Sequence, residues 1–173
     1  MAVERVRVGM IGAGNIAGPY YKTMNNYSDL VEVVGIADMD QAKAESFGQE
    51  RGLHVYSSPA ELLQHDRVEV VVNLTTHHAH RDVVEQVLRA GKHVHSEKPL
   101  ALSYSDAQGL VELSHSVGKR LACSPSTQLG EAQQTAWKAI RDGKLGTVRV
   151  IYAECNHGRI ESWHPAPTAF YQV

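Results

Sequence analysis

Short runs of β-branched and other apolar residues alternate along the chain with longer stretches whose apolar positions recur every three to four residues. The first pattern predicts strands and the second predicts amphipathic helices. The predicted strands are residues 6–11, 31–37, 54–56, 69–74, 93–96 and 120–124. The predicted helices are residues 15–26, 40–52, a short turn opened by Ser58 and Pro59, 77–90 and 103–116. This alternation predicts an α/β fold with a parallel sheet.

Six predicted strands are the number expected of one complete dinucleotide-binding domain, a Rossmann-type doubly wound sheet. After residue 124 the pattern changes, because 131–141 predict a helix and 147–155 alternate as a strand does. We therefore expect a Rossmann domain at 1–124, followed at 125–173 by the start of an incomplete second α/β domain. A lone strand exposes unpaired edges. We expect 147–155 to pair with another copy in a homo-oligomer, or the region after Pro125 to be poorly ordered.

A glycine-rich segment at 12–17, GAGNIA, connects the first predicted strand to the first predicted helix. Gly12 permits the tight turn, and Gly14 lets the backbone approach a pyrophosphate. The small side chain of Ala17 allows the helix to pack closely on the strand, and free N–H groups at the helix start attract the phosphate charge. The predicted pyrophosphate contacts are Gly12, Gly14, Asn15 and Ile16.

Asp38 ends the second predicted strand, about 20 residues beyond the glycines. An acid at this place accepts hydrogen bonds from the adenosine ribose hydroxyls and repels a 2′-phosphate. No arginine follows directly, since the next residues are Met39 and Asp40. We therefore expect NAD as the cofactor, with NADP less favoured. The alternative is that Asp38 only caps the helix that begins near Asp40.

Composition and charge limit the classes of partner. With 173 residues, 43% hydrophobic and 21% charged, the chain has an ordinary globular composition. A net charge of −2, with acids and bases scattered, gives no electrostatic footprint for nucleic acid or an anionic membrane. No apolar run approaches the ~20 residues that span a bilayer, and the N-terminus lacks the apolar region of a signal peptide. A cytoplasmic protein is expected.

A second candidate site follows the fifth predicted strand, in the segment 91–101, GKHVHSEKPLA. Ligands of an open parallel sheet bind beyond the carboxyl ends of the strands, which puts Lys98 beside the expected nicotinamide position. A lysine there can hold a substrate hydroxyl by a charge-assisted hydrogen bond and favour loss of its proton. For an isolated Lys-Pro pair, the alternative is a surface lysine before a turn.

Four segments in this order, IGAGNIA, IADMD, GKHVHSEKPLA and AIRDGKLGTV, resemble the Gfo/Idh/MocA family of glucose–fructose oxidoreductases and inositol dehydrogenases. Glu-Lys-Pro at 97–99 is the most specific mark, and the tail at 161–165 resembles one subgroup. The resemblance implies an NAD(P)-dependent dehydrogenase or reductase for a sugar, polyol or related alcohol or ketone. It implies that Lys98 is catalytic and lies beside the nicotinamide, and that Glu97 places it. It also implies further catalytic residues beyond Val173, so we expect this chain to be inactive or nearly so.

Residues 75–80, TTHHAH, follow the fourth predicted strand at another ligand-facing end. The family commonly has Thr-Pro-Asn-x-x-His here, so Thr75 and His80 match and are implied to contact the cofactor, whereas Thr76 and His77 depart from the pattern. Three histidines within four positions raise the alternative of a metal site. We expect no metal, because no acid or cysteine joins them locally.

Two further alternatives concern the class of protein. S-adenosylmethionine methyltransferases also have a glycine-rich turn after their first strand, usually with an acid before the glycines, where this chain has apolar residues around Gly9. A non-catalytic NAD-binding module is the alternative to an enzyme. Outside the motifs, Cys123 and Cys155 are expected to be small buried hydrophobes, and Tyr20 and Tyr21 to be packing or surface residues.

Overall fold

The computed structural model describes residues 4–125, 127–154, 156 and 158–162. Its six strands form one parallel sheet. The strands lie in the order β3-β2-β1-β4-β5-β6, and every neighbouring pair is parallel. They are β1 (Val6–Ile11), β2 (Val31–Ala37), β3 (His54–Val55), β4 (Val70–Asn73), β5 (His93–Ser96) and β6 (Leu121–Cys123). The helices are α1 (Ala17–Asn25), α2 (Gln41–Arg51), α3 (Pro59–Gln64), α4 (His80–Arg89), α5 (Tyr104–Ser116) and α6 (Glu131–Arg141). The predicted α/β Rossmann-type doubly wound sheet is confirmed.

Helices cover both faces of the sheet. Successive side chains of a strand point to opposite faces, so each strand packs against helices on both sides. On β1, Met10 packs into a cluster with Ala17 of α1, whereas its neighbour Ile11 packs into a second cluster with Leu62 of α3 and Leu88 of α4. Each of these side chains is at most 1% exposed. Burying one Met, Ile or Leu side chain contributes about 2 kcal/mol. The two clusters pack the sheet between its helices, and the loops that follow the strands extend from this packed core.

The helix ends follow local capping chemistry. Helix α2 begins after Asp40, whose side chain accepts the Lys43 N–H, and ends at Gly52 with φ 66°. Helix α4 begins three residues later than predicted, because the preceding residues form a turn in which the Ala79 N–H donates to the Thr76 carbonyl at 2.8 Å. Among the described helices, none has the length and apolarity needed to cross a bilayer.

The chain divides into two compact units, Met1–Gln128 and Leu129–Val173. In the second unit, helix α6 (Glu131–Arg141) forms where it was predicted. Residues 147–154 do not form the predicted strand within this chain, because a strand needs a partner for its backbone bonds and none lies beside this segment in the described residues. Its pairing with another copy stays a prediction. Val150 and Tyr152 are 86% and 85% exposed. Cys155 and residues 163–165 of the family-like tail lie outside the described residues.

Candidate functional site

The predicted site residues follow four different strands, and the parallel sheet brings them to one edge. Residues 12–16 follow β1, Asp38 follows β2, Thr75 follows β4, and residues 97–98 follow β5. The sequence order of the strands reverses between β1 and β4, which lie side by side. Open α/β sheets bind their ligands at such a switch point, beyond the carboxyl ends of the strands.

The glycine-rich turn has the shape of a phosphate cradle. Gly12 has φ 107°, and a Cβ there would lie 2.6 Å from the Leu74 carbonyl carbon and oxygen, so a side chain does not fit. A Cβ at Gly14 would meet no atom within 4 Å, so the space beside it is open. The N–H groups that follow donate to no acceptor among the described residues; they belong to Asn15 and Ile16. An open floor with free donors before α1 fits a pyrophosphate.

Asp38 braces this turn. Its Oδ2 accepts the Ala13 N–H at 2.7 Å, and its Oδ1 accepts the Asp40 N–H at 2.8 Å. Helix α2 is capped by Asp40 itself, so the alternative that Asp38 only caps this helix is wrong. Each carboxylate oxygen has more than one acceptor site. The half-buried carboxylate of Asp38 therefore ties the glycine-rich turn to the end of β2 and keeps capacity for further donors.

The loop after β4 is held by two buried polar side chains. Asn73 is fully buried, and its Oδ1 accepts the Thr75 hydroxyl at 2.7 Å and the Thr75 N–H at 3.3 Å. The ring of His80 is also buried; its Nε2 lies 3.0 Å from the Thr75 carbonyl oxygen and its Nδ1 lies 2.5 Å from that of Pro99. His80 therefore joins this loop to the segment after β5, with a carbonyl oxygen beside each ring nitrogen, and its contact with a cofactor stays a prediction.

Glu97 contacts Lys98 through the main chain and not through the ammonium group. The Lys98 N–H donates to Glu97 Oε2 at 2.9 Å, and the Glu97 N–H donates to the Asn73 carbonyl oxygen at 2.9 Å. The Lys98 side chain is exposed, and its Nζ has no acceptor among the described residues. The structure thus places a free ammonium group at the ligand-facing edge and holds its backbone in place by the neighbouring carboxylate.

Tyr20 is a site residue that the sequence reasoning missed. Its hydroxyl donates to Glu97 Oε1 at 2.6 Å and lies 2.7 Å from Ser124 Oγ, which lies 3.2 Å from His95 Nε2. Burial raises the pKa of Tyr20, and the hydrogen bond to Glu97 contributes in the same direction, to about 12 in all. Burial also lowers the pKa of His95. The prediction of Tyr20 as a packing or surface residue is therefore wrong. Its spacing of three from the buried Ala17 could have placed it on the inner face of α1.

The three histidines after β4 do not converge on one point. The rings of His77 and His78 lie 4.1 Å apart, whereas His80 turns into the interior, where both of its nitrogens are occupied. Burial lowers the pKa of His77, and the charges of His78, His80 and Lys98 contribute in the same direction. Within the described residues, no group of three His, Cys, Asp or Glu side chains has the arrangement of a metal site.

Cys123, in β6, is only partly buried, and its Sγ lies 3.0 Å from the Ser124 carbonyl oxygen. Burial raises the pKa of its thiol, and the charge of Glu97 makes a smaller contribution in the same direction. Cys123 therefore lies next to Ser124, which contacts the Tyr20 hydroxyl, and its Sγ is near the backbone oxygens of Glu97 and Ser124.

Comparison with known proteins gives one family and several relatives. The profile of the family described as "Oxidoreductase family, NAD-binding Rossmann fold" matches residues 6–124. Inositol 2-dehydrogenase of Rubrobacter xylanophilus is 30% identical over 144 residues, which make up 83% of this chain and 42% of that protein. The chain spans about half the length, or less, of the curated relatives it matches.

Two solved structures share the fold. The WlbA dehydrogenase from Bordetella pertussis, in complex with NADH and UDP-GlcNAcA, has a TM-score of 0.78 at 26% identity, covering 83% of this chain and 44% of that one. KijD10, a 3-ketoreductase from Actinomadura kijaniata in complex with NADP and TDP-benzene, has a TM-score of 0.73 at 26% identity, covering 81% of this chain and 43% of that one. These likenesses span most of this chain and less than half of each neighbour.

Proposed function

Because this chain belongs to the Gfo/Idh/MocA oxidoreductase family, with its NAD-binding Rossmann fold, we propose that it binds NAD for hydride transfer to or from a sugar-like alcohol or ketone. One observation carries the proposal: an open floor at Gly14 and free N–H groups lie beside a carboxylate, Asp38, that is fixed to the same turn. When bound, the nicotinamide supplies the hydride chemistry. The chain supplies the binding and the orientation.

Each part of the dinucleotide has residues suited to it. The backbone donors of Asn15 and Ile16 would hold the pyrophosphate, and the remaining acceptor sites of Asp38 would hold the ribose hydroxyls. The same carboxylate disfavours a 2′-phosphate by charge repulsion, so NAD is preferred over NADP. Thr75 would line the nicotinamide side, and its hydrogen bond to the Asn73 side chain would hold it there.

Lys98 is the catalytic residue in this proposal. Its ammonium group is exposed at the carboxyl edge of the sheet and has no acceptor among the described residues. A charge-assisted hydrogen bond from this group to the reacting oxygen of the substrate favours the deprotonated form of an alcohol and polarises a ketone. The named relatives support a sugar-like substrate, since one is an inositol dehydrogenase and another was solved with a sugar nucleotide.

A second candidate function is a non-catalytic module that binds NAD. It is favoured by the site itself, since the free N–H groups and the Asp38 carboxylate that carry the proposal account for binding of the dinucleotide and not for its turnover. Both candidates predict NAD binding, so binding alone does not separate them. Turnover of NAD by this chain with a panel of polyols and sugars would support the enzyme, and binding without turnover would support the module.

Substitution of Asp38 tests the cofactor assignment. In calorimetric titrations we expect the wild-type chain to bind NADH at least about tenfold more tightly than NADPH, since hydrogen bonds to a charged group contribute about 1.5–3 kcal/mol. Asp38→Asn removes the charge at nearly constant size, so it should weaken NADH binding and bring the two affinities close together.

The matched control is Asp29→Asn, because Asp29 is an exposed acid of the same unit and lies away from the glycine-rich turn. It should leave both affinities unchanged. Equal binding of NADH and NADPH by the wild-type chain would contradict the role of Asp38. Failure of both nucleotides to bind, with the fold intact by circular dichroism, would contradict the proposed function as a whole.

A further inference from the structure

A cluster of four polar side chains joins helix α1 to the segments that follow β5 and β6. Tyr20 lies on α1, His95 lies in β5, Glu97 follows β5, and Ser124 follows β6. The atoms form one chain of contacts, with Nε2 of His95 3.2 Å from Ser124 Oγ, Ser124 Oγ 2.7 Å from Tyr20 Oη, and Tyr20 Oη 2.6 Å from Glu97 Oε1. Neither cofactor binding nor the proposed action of Lys98 accounts for this cluster.

Counting hydrogens gives the direction of every bond in this chain. A carboxylate only accepts, so the single hydrogen of the Tyr20 hydroxyl points to Glu97. The contact between Tyr20 and Ser124 must then use the hydroxyl hydrogen of Ser124, and the contact between Ser124 and His95 must use a hydrogen on Nε2 of the imidazole. All three donations therefore run toward Glu97, and bonds aligned in this way polarise one another.

The Glu97 carboxylate is held from both sides as a result. Its Oε1 accepts from Tyr20, and its Oε2 accepts the N–H of Lys98 at 2.9 Å. A carboxylate with one oxygen fixed by a half-buried hydroxyl has little freedom to rotate. The main chain of Lys98 is therefore bonded to an anchored group and not to a mobile surface side chain.

Building on the function proposed for Lys98, we propose that Tyr20 is a positioning residue that acts through Glu97 to hold Lys98 at the ligand-facing edge. The hydroxyl group performs this role, and the ring alone does not. Helix α1, which carries Tyr20, begins directly after the glycine-rich turn. Tyr20 thus fixes the lysine relative to the helix whose start faces the expected pyrophosphate.

The neighbouring Tyr21 shows what a purely packing tyrosine looks like in the same helix. Its ring contacts the edge of Phe47 at 6.1 Å between centroids, and the guanidinium group of Arg51 lies 5.8 Å from its centre. No hydrogen bond of its hydroxyl occurs within the described residues. Tyr21→Phe is therefore the matched control for Tyr20→Phe, because both changes remove one hydroxyl from adjacent positions of α1.

The test measures the Lys98 amide by NMR in the full chain. In Tyr20→Phe we expect the Lys98 amide proton resonance to move upfield and its hydrogen exchange to become about fivefold faster, since the carboxylate that it contacts loses its anchor. Tyr21→Phe should change neither quantity. Glu97→Ala should have the effect of Tyr20→Phe or a larger one, and the double variant should show no further change, because Tyr20 acts only through Glu97.

Two outcomes would overturn this role for Tyr20: a Lys98 amide that is unchanged in Tyr20→Phe, or an effect of Tyr20→Phe that persists in full when Glu97 is alanine. A merely structural tyrosine would instead change amides throughout α1 equally in both tyrosine variants. NADH titration of the same samples keeps the two proposals apart. If the Lys98 amide responds as expected while no nucleotide binds, the positioning role stands and the proposed function fails.

Discussion

Gly12→Ala is expected to lower the free energy of unfolding by about 3 kcal/mol and to abolish measurable NADH binding. A left-handed backbone costs a residue with a side chain about 1–3 kcal/mol. The added methyl group would also lie 2.6 Å from the Leu74 carbonyl group, and neither backbone can yield cheaply, because Leu74 and Gly12 are bonded into the sheet by their N–H groups. Urea unfolding followed by circular dichroism gives the first quantity, and calorimetry gives the second.

Gly14→Ala separates stability from binding. Its Cβ would meet no atom, and the backbone of Gly14 does not have positive φ, so the free energy of unfolding should change by less than about 1 kcal/mol. NADH binding should nevertheless weaken at least about tenfold, because the methyl group fills the space proposed for the pyrophosphate. If Gly14→Ala binds NADH normally, the pyrophosphate lies elsewhere. If Gly12→Ala is as stable as the wild type, the turn is not as the structure shows it.

The pattern of apolar residues was sufficient to predict the strands of the sheet. Strands β1, β2 and β5 have the predicted bounds, because in each case a run of apolar or β-branched residues stands between turn-forming segments. The strand expected at 147–155 does not form at 147–154 within the single chain, for a physical reason. The alternation of Val148, Val150 and Tyr152 shows only which face of the segment is apolar. A strand also needs hydrogen-bond partners for its backbone, and the alternation does not indicate whether they are present.

The candidate site was predictable where a motif or the end of a predicted strand marks its residues. Gly12, Gly14 and Asp38 have spacings that follow from one βαβ unit, so their positions were expected. The contact between Tyr20 and Glu97 spans 77 residues, and nothing near Tyr20 in the sequence indicates a carboxylate partner. His80 shows a third situation. The family pattern identified its position, but only the structure shows that its ring faces two carbonyl oxygens in the interior.

His80→Ala is expected to destabilise the chain by about 3 kcal/mol and to weaken NADH binding. The ring is 1% exposed, so its removal leaves a cavity, and whichever of the Thr75 and Pro99 carbonyl groups accepts the single N–H of the neutral imidazole loses its donor. Each buried polar group left unpaired costs about 1–3 kcal/mol. Because the His80 ring contacts both the loop after β4 and the segment after β5, these two segments should also lose their mutual alignment. Urea unfolding and NADH calorimetry on one preparation measure both effects.

Two further variants divide the effect of His80 into its parts. His80→Phe fills most of the space and donates nothing, so any destabilisation that it shares with His80→Ala comes from the lost hydrogen bonds and not from the cavity. His78→Ala is the control, because His78 is exposed and its loss should change the free energy of unfolding by less than about 0.5 kcal/mol. If His80→Phe has wild-type stability and NADH affinity, the two carbonyl contacts do not align the loops, and His80 only fills space. If it loses affinity more than stability, the buried histidine acts on the site by holding Thr75 and Pro99 in register.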